Sequence, residues 1–329
     1  GFFVTGVGLP VLGIVAVALS GTLRDLATRV HPTFARVFVA LVYLAIGPCL
    51  AIPRTASTSY EMVGNAFGLA GTAPRTIYSL IFFAAASMTA MRPEKLTKTL
   101  GRITCPLLIL LIAALAIGSA AKGYGDVPAT ASDAYASAPF ATGFQEGYQT
   151  MDAIAALVFG MVAALNIKAM GVTDRKQLRR TEAAAGMGAA LIFIAVYAAI
   201  AFIGRVAASH GAMADNGADI LSAAAGMSFG RYGMAVLSMI FIVACFNTCT
   251  GLLSSCGVYF SGIAPRIPYR WWVIIFSSVS FLISNIGLTQ IIAVSSPVLS
   301  LLYPVAIVLI LLAFIDDWQR YRLTHILPA

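Results

Sequence analysis

The sequence predicts an all-α polytopic membrane protein, and three observations predict it. Sixty per cent of the 329 residues are hydrophobic and only 10% are charged, whereas soluble domains carry about a quarter charged residues. The mean hydropathy is +0.89, so most of the surface has to lie in lipid. Nine stretches are apolar over the roughly 20 residues that a helix needs to cross a bilayer core about 30 Å thick. They lie near 2–22, 34–64, 74–91, 103–121, 149–168, 182–205, 232–262, 271–286 and 289–315, within one transmembrane domain over 1–329. A membrane β-barrel would instead show alternating ten-residue segments.

Basic residues set the expected orientation. If the first span runs inward, the connectors after odd-numbered spans carry sixteen Lys and Arg residues, among them Arg24, Arg29, Lys176, Arg266 and Arg320. The opposite side carries four, Arg75, Lys122, Arg205 and Arg231, and Arg54 falls inside a span. Gly1 is therefore expected outside and the C-terminal tail in the cytoplasm. The formal charge of +8 is then the signature of a cytoplasmic membrane face, and nucleic-acid binding is not called for. Gly1 opens directly into an apolar run with no basic region before it, so no signal peptide is expected. Both ends look cut, and the chain is expected to be a fragment of a longer protein.

The second span carries the clearest polar pattern. Its outer part reads CLAIPRTASTSYE at 49–61. At 100° per residue, Tyr43, Gly47, Leu50, Arg54, Ser57, Thr58 and Glu61 share one face. Tyr43 and Gly47 stand near mid-depth, and Arg54 and Glu61 toward the outer end. Pro48 and Pro53 are expected to bend the helix or free backbone carbonyls. The face is either a substrate site continuing into an outer vestibule and gate, or a polar cluster that holds neighbouring helices.

The fifth span, MDAIAALVFGMVAALN at 151–166, has Gly160 at its centre and Asp152 near its outer mouth. A mid-helix glycine can mark a discontinuous helix, whose freed amides and carbonyls bind ligands in transporters. In the seventh span, Ala244, Asn247, Thr248, Gly251 and Ser255 share a face, with Asn247 and Thr248 near its middle. Neutral oxygens there suit a small hard cation helped by backbone carbonyls; the other reading is interhelical hydrogen bonding. The ninth span is expected to kink at Ser295, Ser296, Pro297 and Pro304. The connectors 122–146 and 206–231 are loops, or short outer helices or lids.

Cys49, Cys105, Cys245, Cys249 and Cys256 all lie in apolar segments, and His31, His210 and His325 in polar connectors. No pair has metal-site spacing, so no resident metal or cofactor is expected. A nucleophile–base–acid set, a phosphate-cradling loop and a redox motif are equally missing, so no enzyme is expected.

The stretches GVGLPVLGIVAVALSG (6–21), GPCLAIPRTASTSYE (47–61), GYQTMDAIAALVFG (147–160) and SNIGLTQIIAVSSPVLSLLYP (284–304) resemble the bacterial branched-chain amino acid:cation symporters, the LIV-II carriers of the amino acid–polyamine–organocation superfamily. The resemblance runs in order through the chain. It implies a LeuT-type inverted-repeat fold, with the nine spans matching family helices 2–10 and the broken first helix absent. The family's third and eighth helices, symmetry mates in that fold, are the second and seventh spans here.

The resemblance further implies import of leucine, isoleucine and valine across a bacterial inner membrane, coupled to Na+ or H+ by alternating access. Tyr43 with Gly47 would approach the substrate, and the broken sixth helix maps to Phe159 and Gly160. A sodium ion would use the Ala244 carbonyl, Asn247 and Thr248, where Asn247 departs from the family's hydroxyl pair. Arg54, Glu61 and Asp152 would form the gate or vestibule. Helix-end dipoles can hold the charged ends of a zwitterion, and an apolar pocket the rest. One methylene is worth only about 1–3 kcal/mol, so weak discrimination among the three is expected. The other readings are a different amino-acid or polyamine carrier of the superfamily, or a non-transporting membrane scaffold or sensor with this fold.

Overall fold

The computed structural model describes residues 1–91, 96–126, 133–159, 175–212 and 216–325, and every regular element among them is helical. A π-helical turn, Val4–Gly8, leads into α1 (Leu9–Ser20), which ends at Gly21 with φ 99°. Only glycine adopts that conformation without steric cost. The Thr22 hydroxyl then caps α2 (Leu23–Thr28) by accepting the Asp25 amide at 3.0 Å, and donates to the Asp25 carboxylate at 2.7 Å. The helix α3 (Pro32–Leu44) opens on a proline, which lacks the amide that a first turn cannot use.

A second π-helical segment, Ala45–Cys49, separates α3 from α4 (Ala51–Phe67). Helices α5 (Thr72–Ala90) and α6 (Leu96–Lys122) follow, then the short α7 (Asp133–Ser137) and α8 (Pro139–Glu146) within the connector. A 3-10 turn, Gly147–Thr150, precedes α9, helical over 152–159. The chain continues in α10 (Arg175–Ser209), α11 (Gly217–Ile263), α12 (Tyr269–Ser284) and α13 (Leu288–His325), which contains Pro297 and Pro304.

Five of the described helical stretches are long and apolar enough to cross a membrane: Pro32–Phe67, Cys105–Lys122, Ala184–Ser209, Gly217–Ile263 and Leu288–Ile315. Val4–Val17 and Tyr269–Ser284 are apolar but shorter. The chain is a multi-pass, all-helical membrane protein.

Two features depart from simple spans. Gly47, at φ −92° and ψ −125°, is not helical. The regular twist that joined Tyr43 to Glu61 in one unbroken face therefore stops there, and only Arg54 through Glu61 share an intact helix. The break has a local cause, because Pro48 supplies no amide and its ring opposes the preceding turn. The connector before the seventh span contains the first turns of α11, whose helix is interrupted at Gly230 (φ 62°, ψ −155°). Finally, residue 160 lies beyond the described part of α9, so the expected break at Gly160 falls outside the described residues.

The chain divides into two units. The first comprises Gly1–Tyr43, Ala131–Ile194 and Ser295–Ala329. In it Gly13 of α1 stands against the Ala153 carbonyl, the Ala156 methyl and Ile310 of α13, where a Cβ would meet them at 3.5–3.6 Å. Leu26, Ile154, Leu157 and Tyr303 are fully buried there.

The second unit comprises Leu44–Thr130 and Ala195–Val294. It is organised on α11, which packs along α4 and also against α5, α6 and α12. Met62, Leu115, Ile203 and Leu237 are buried in its core. Lipid is as apolar as these side chains, so close packing and interhelical hydrogen bonds carry more of the cohesion than water exclusion. The Ser238 hydroxyl donates to the Met62 carbonyl at 2.6 Å, Ser57 to the Ser284 carbonyl at 3.0 Å, and Ser87 to the Ser277 hydroxyl at 2.7 Å.

Candidate functional site

The second unit brings the break at Gly47 against α11. A Cβ on Gly47 would stand 2.7 Å from the Cys256 sulfur, closer than real side chains come, so any larger residue there would force that sulfur to move. The Ser280 hydroxyl of α12 donates to the Pro48 carbonyl at 3.3 Å. The Leu50 amide returns to the Ala45 carbonyl. The Pro48 carbonyl is thus met by a neighbouring helix, while the Leu50 amide stays within the π-helical turn.

Beyond the break, most hydroxyls of α4 are spent on packing. Thr55 donates to the Ile52 carbonyl, Ser59 to the Thr55 and Ala56 carbonyls, and Tyr60 to the Leu69 and Gly71 carbonyls. Arg54 is half-buried in the first turn. Glu61 pairs with Arg75 at 3.7 Å, and the same guanidinium lies 5.5 Å above the Tyr60 ring. Asn65 of α4 donates to Asp219 of α11 at 2.8 Å. The C-terminal half of α4 is therefore a linked polar cluster.

On α11, Ala244, Asn247 and Thr248 occupy one turn. The Thr248 hydroxyl donates to the Ala244 carbonyl at 3.0 Å, so two of the expected cation ligands are joined to each other. Thr248 is exposed on the protein surface of its unit, and Asn247 is half-buried. The Asn247 Oδ1 is itself buried and accepts no hydrogen bond among the described residues. A buried amide oxygen without a donor is costly, and a cation is one group that satisfies it.

Tyr43, Asp152 and Phe159 belong to the first unit, and all three are half-buried. Asp152 and Phe159 stand at the two described ends of α9. The turn that starts α9 is tight. Gly147 lies against the Thr5 hydroxyl, which leaves no room for a Cβ, and Thr5 donates to the Phe144 carbonyl at 2.8 Å. The Thr150 hydroxyl donates to the Gly147 carbonyl at 2.9 Å and accepts the Asp152 amide at 3.4 Å. Met151 is the one non-glycine residue with positive φ among the described residues, at 60°; that conformation costs an L-residue about 1–2 kcal/mol. Burial pushes the Tyr148 phenol above its ordinary value, so it stays neutral at physiological pH.

Sequence reasoning missed Arg75, Cys256 and Tyr303. Arg75 was visible only as a basic residue at the start of an apolar segment. Tyr303 sits in an apolar run between Leu302 and Pro304; its hydroxyl in that run was the signal available.

Comparison with known proteins adds what geometry alone does not carry. The family described as "Branched-chain amino acid transport protein" matches residues 1–326. The chain is 43% identical over 329 residues to the branched-chain amino acid permease BraB of Bacillus subtilis, covering 98% of this chain and 73% of that protein. It is 40% identical over 319 residues to the branched-chain amino acid transport system 2 carrier protein of Pseudomonas aeruginosa, covering 96% and 72%. With the permease BrnQ of Escherichia coli K12 the identity is 37% over 330 residues, covering 100% and 74%. These are transport proteins, not enzymes. On a match across nearly its whole length, this chain belongs to the branched-chain amino acid transport protein family.

Proposed function

We propose that the protein imports leucine, isoleucine and valine by alternating access, coupled to Na+ or H+, on a LeuT-type inverted-repeat scaffold in a bacterial inner membrane with Gly1 outside and the C-terminal tail inside. The observation that carries the reading is the near-full-length likeness to permeases and carriers named for branched-chain amino acids. Tyr43, Gly47, Phe159 and Gly160 line the route for the substrate, whose aliphatic side chain needs an apolar wall and whose charged ends need freed helix termini.

The coupling ion, as cargo, takes the Ala244 carbonyl, Asn247 and Thr248. The unsatisfied Asn247 oxygen supports this assignment, because a bare acceptor in a low-dielectric setting gains most from a cation. Arg54, Glu61 and Asp152 serve the outer gate or vestibule, and the Glu61–Arg75 pair supports that role for Glu61.

Competition against radiolabelled leucine uptake tests the substrate class. Isoleucine and valine in excess should suppress uptake, and lysine and putrescine should not. Suppression by putrescine alone would favour the polyamine-carrier reading.

A further inference from the structure

The connector between α11 and α12, APRIP at 264–268, carries Arg266, and Arg270 follows in the first turn of α12. Both are exposed, and neither side chain makes an ion pair or hydrogen bond among the described residues. No Asp or Glu occurs anywhere from 220 to 315. Helix α5, which meets this connector where the Tyr269 hydroxyl donates to the Ala90 carbonyl at 2.7 Å, contains no acid either. Arg270 also stands in a helix's first turn, where the dipole favours an anion and opposes a cation. Two guanidiniums are thus held together with no negative group to match them.

The surface next to them is apolar. Trp271 is 59% exposed, and Ile275, Val279 and Leu282 continue its face at helical spacing for roughly 16 Å along α12. The opposite face is packed, with Val273, Phe276 and Ser280 buried. Trp272 stacks with Phe260 and Phe276, its ring centroid 5.2 Å from each. Gly257 admits the Tyr269 ring so closely that a Cβ there would stand 2.7 Å from it. The platform under the two arginines is therefore fixed. Unmatched positive charge at one end of an apolar stripe is the complement of an anionic amphiphile, and an exposed indole belongs at headgroup level.

We propose that the start of α12 binds an anionic phospholipid of the surrounding leaflet. Arg266 and Arg270 take its phosphate, Trp271 marks the headgroup depth, and the exposed stripe of α12 lies along an acyl chain. A soluble anion would use the arginines alone, so the stripe makes the occupant a lipid. Helix α12 also supports the broken turn at Pro48 through the Ser280 hydroxyl, so a lipid that holds α12 in place stabilises the second unit.

The experiment melts full-length protein in neutral detergent with added short-chain phosphatidylglycerol, short-chain phosphatidylcholine or inorganic phosphate. Phosphatidylglycerol should raise the melting temperature saturably, and the other two should not. In the double variant Arg266→Gln, Arg270→Gln the half-saturating concentration of phosphatidylglycerol should rise about fivefold for each arginine removed, the effect of one basic residue near an anionic lipid surface. Replacing both by Lys should keep most of the response, and Arg24→Gln, which removes an exposed charge from a different connector, should keep all of it. An unchanged response in the double Gln variant overturns the proposal, and so does an equal loss in Arg24→Gln. An equal shift from phosphatidylcholine, or a shift from inorganic phosphate alone, overturns it as well. Should the double Gln variant fail to fold, Trp271→Ala decides: it should weaken the phosphatidylglycerol response, and a response equal to the parent's overturns the proposal.

Discussion

Arg75 at the start of α5 holds Glu61 of α4 at 3.7 Å while its guanidinium covers the Tyr60 ring at 5.5 Å. Both side chains of the pair are 23% exposed, so the attraction is only partly screened, and for such a pair about 1 kcal/mol or less is expected. Glu61→Gln and Arg75→Gln should each slow leucine uptake, and the double variant should recover part of the loss. Independent, additive losses in that double-mutant cycle would show that the pair does not act as a unit.

The approach of α11 to the broken turn gives a second prediction. Gly47→Ala places a methyl group 2.7 Å from the Cys256 sulfur, and overpacking of this kind costs about 1–3 kcal/mol. The variant should melt at a lower temperature and accumulate poorly in the membrane. Gly47→Ala with Cys256→Ala should restore much of the stability, because the Cys256 Cβ lies at an ordinary 3.7 Å. A double variant as unstable as Gly47→Ala would locate the cost elsewhere.

Asn216 caps α11 by accepting the Ala218 and Asp219 amides at 2.9 and 3.2 Å, and its amide donates to the Asp219 carboxylate at 3.0 Å. Asn216→Ala should destabilise the protein by about 1 kcal/mol, as lost caps do, while Asn216→Ser should be nearly neutral. Equal melting temperatures for Asn216→Ala and the parent would contradict the capping assignment.

Thr248→Ala removes the hydroxyl that now bonds Ala244. If this turn holds sodium, the concentration of sodium giving half-maximal uptake should rise severalfold while leucine KM at saturating sodium stays close to normal. A sodium dependence identical to the parent's would remove Thr248 from the ion site.

The membrane class was legible from composition, because few charges and long apolar runs leave no alternative. Asn247 stood out as an amide inside an apolar run, but the run did not announce that its Oδ1 would be buried without a hydrogen bond among the described residues. The break at Gly47 was only half legible. Pro48 announced a distortion, but the projected face from Tyr43 to Glu61 assumed a twist that the distortion itself interrupts. Arg75 and Tyr303 were not legible, because what matters about each is a partner on another segment. Hydrophobic periodicity places a residue on its own helix and says nothing of the side chain it meets across the bundle. Likewise, nothing local requires Met151 to be left-handed; the tight turn around Gly147 and Thr5 does.

Cation-coupled carriage of branched-chain amino acids is open to one direct measurement. Full-length protein in proteoliposomes is given radiolabelled leucine with an inward sodium gradient, with an inward proton gradient, and with neither. Leucine should accumulate above equilibrium with one of the two gradients and simply equilibrate without them. Equilibration under all three conditions, or no entry of leucine at all, would contradict it.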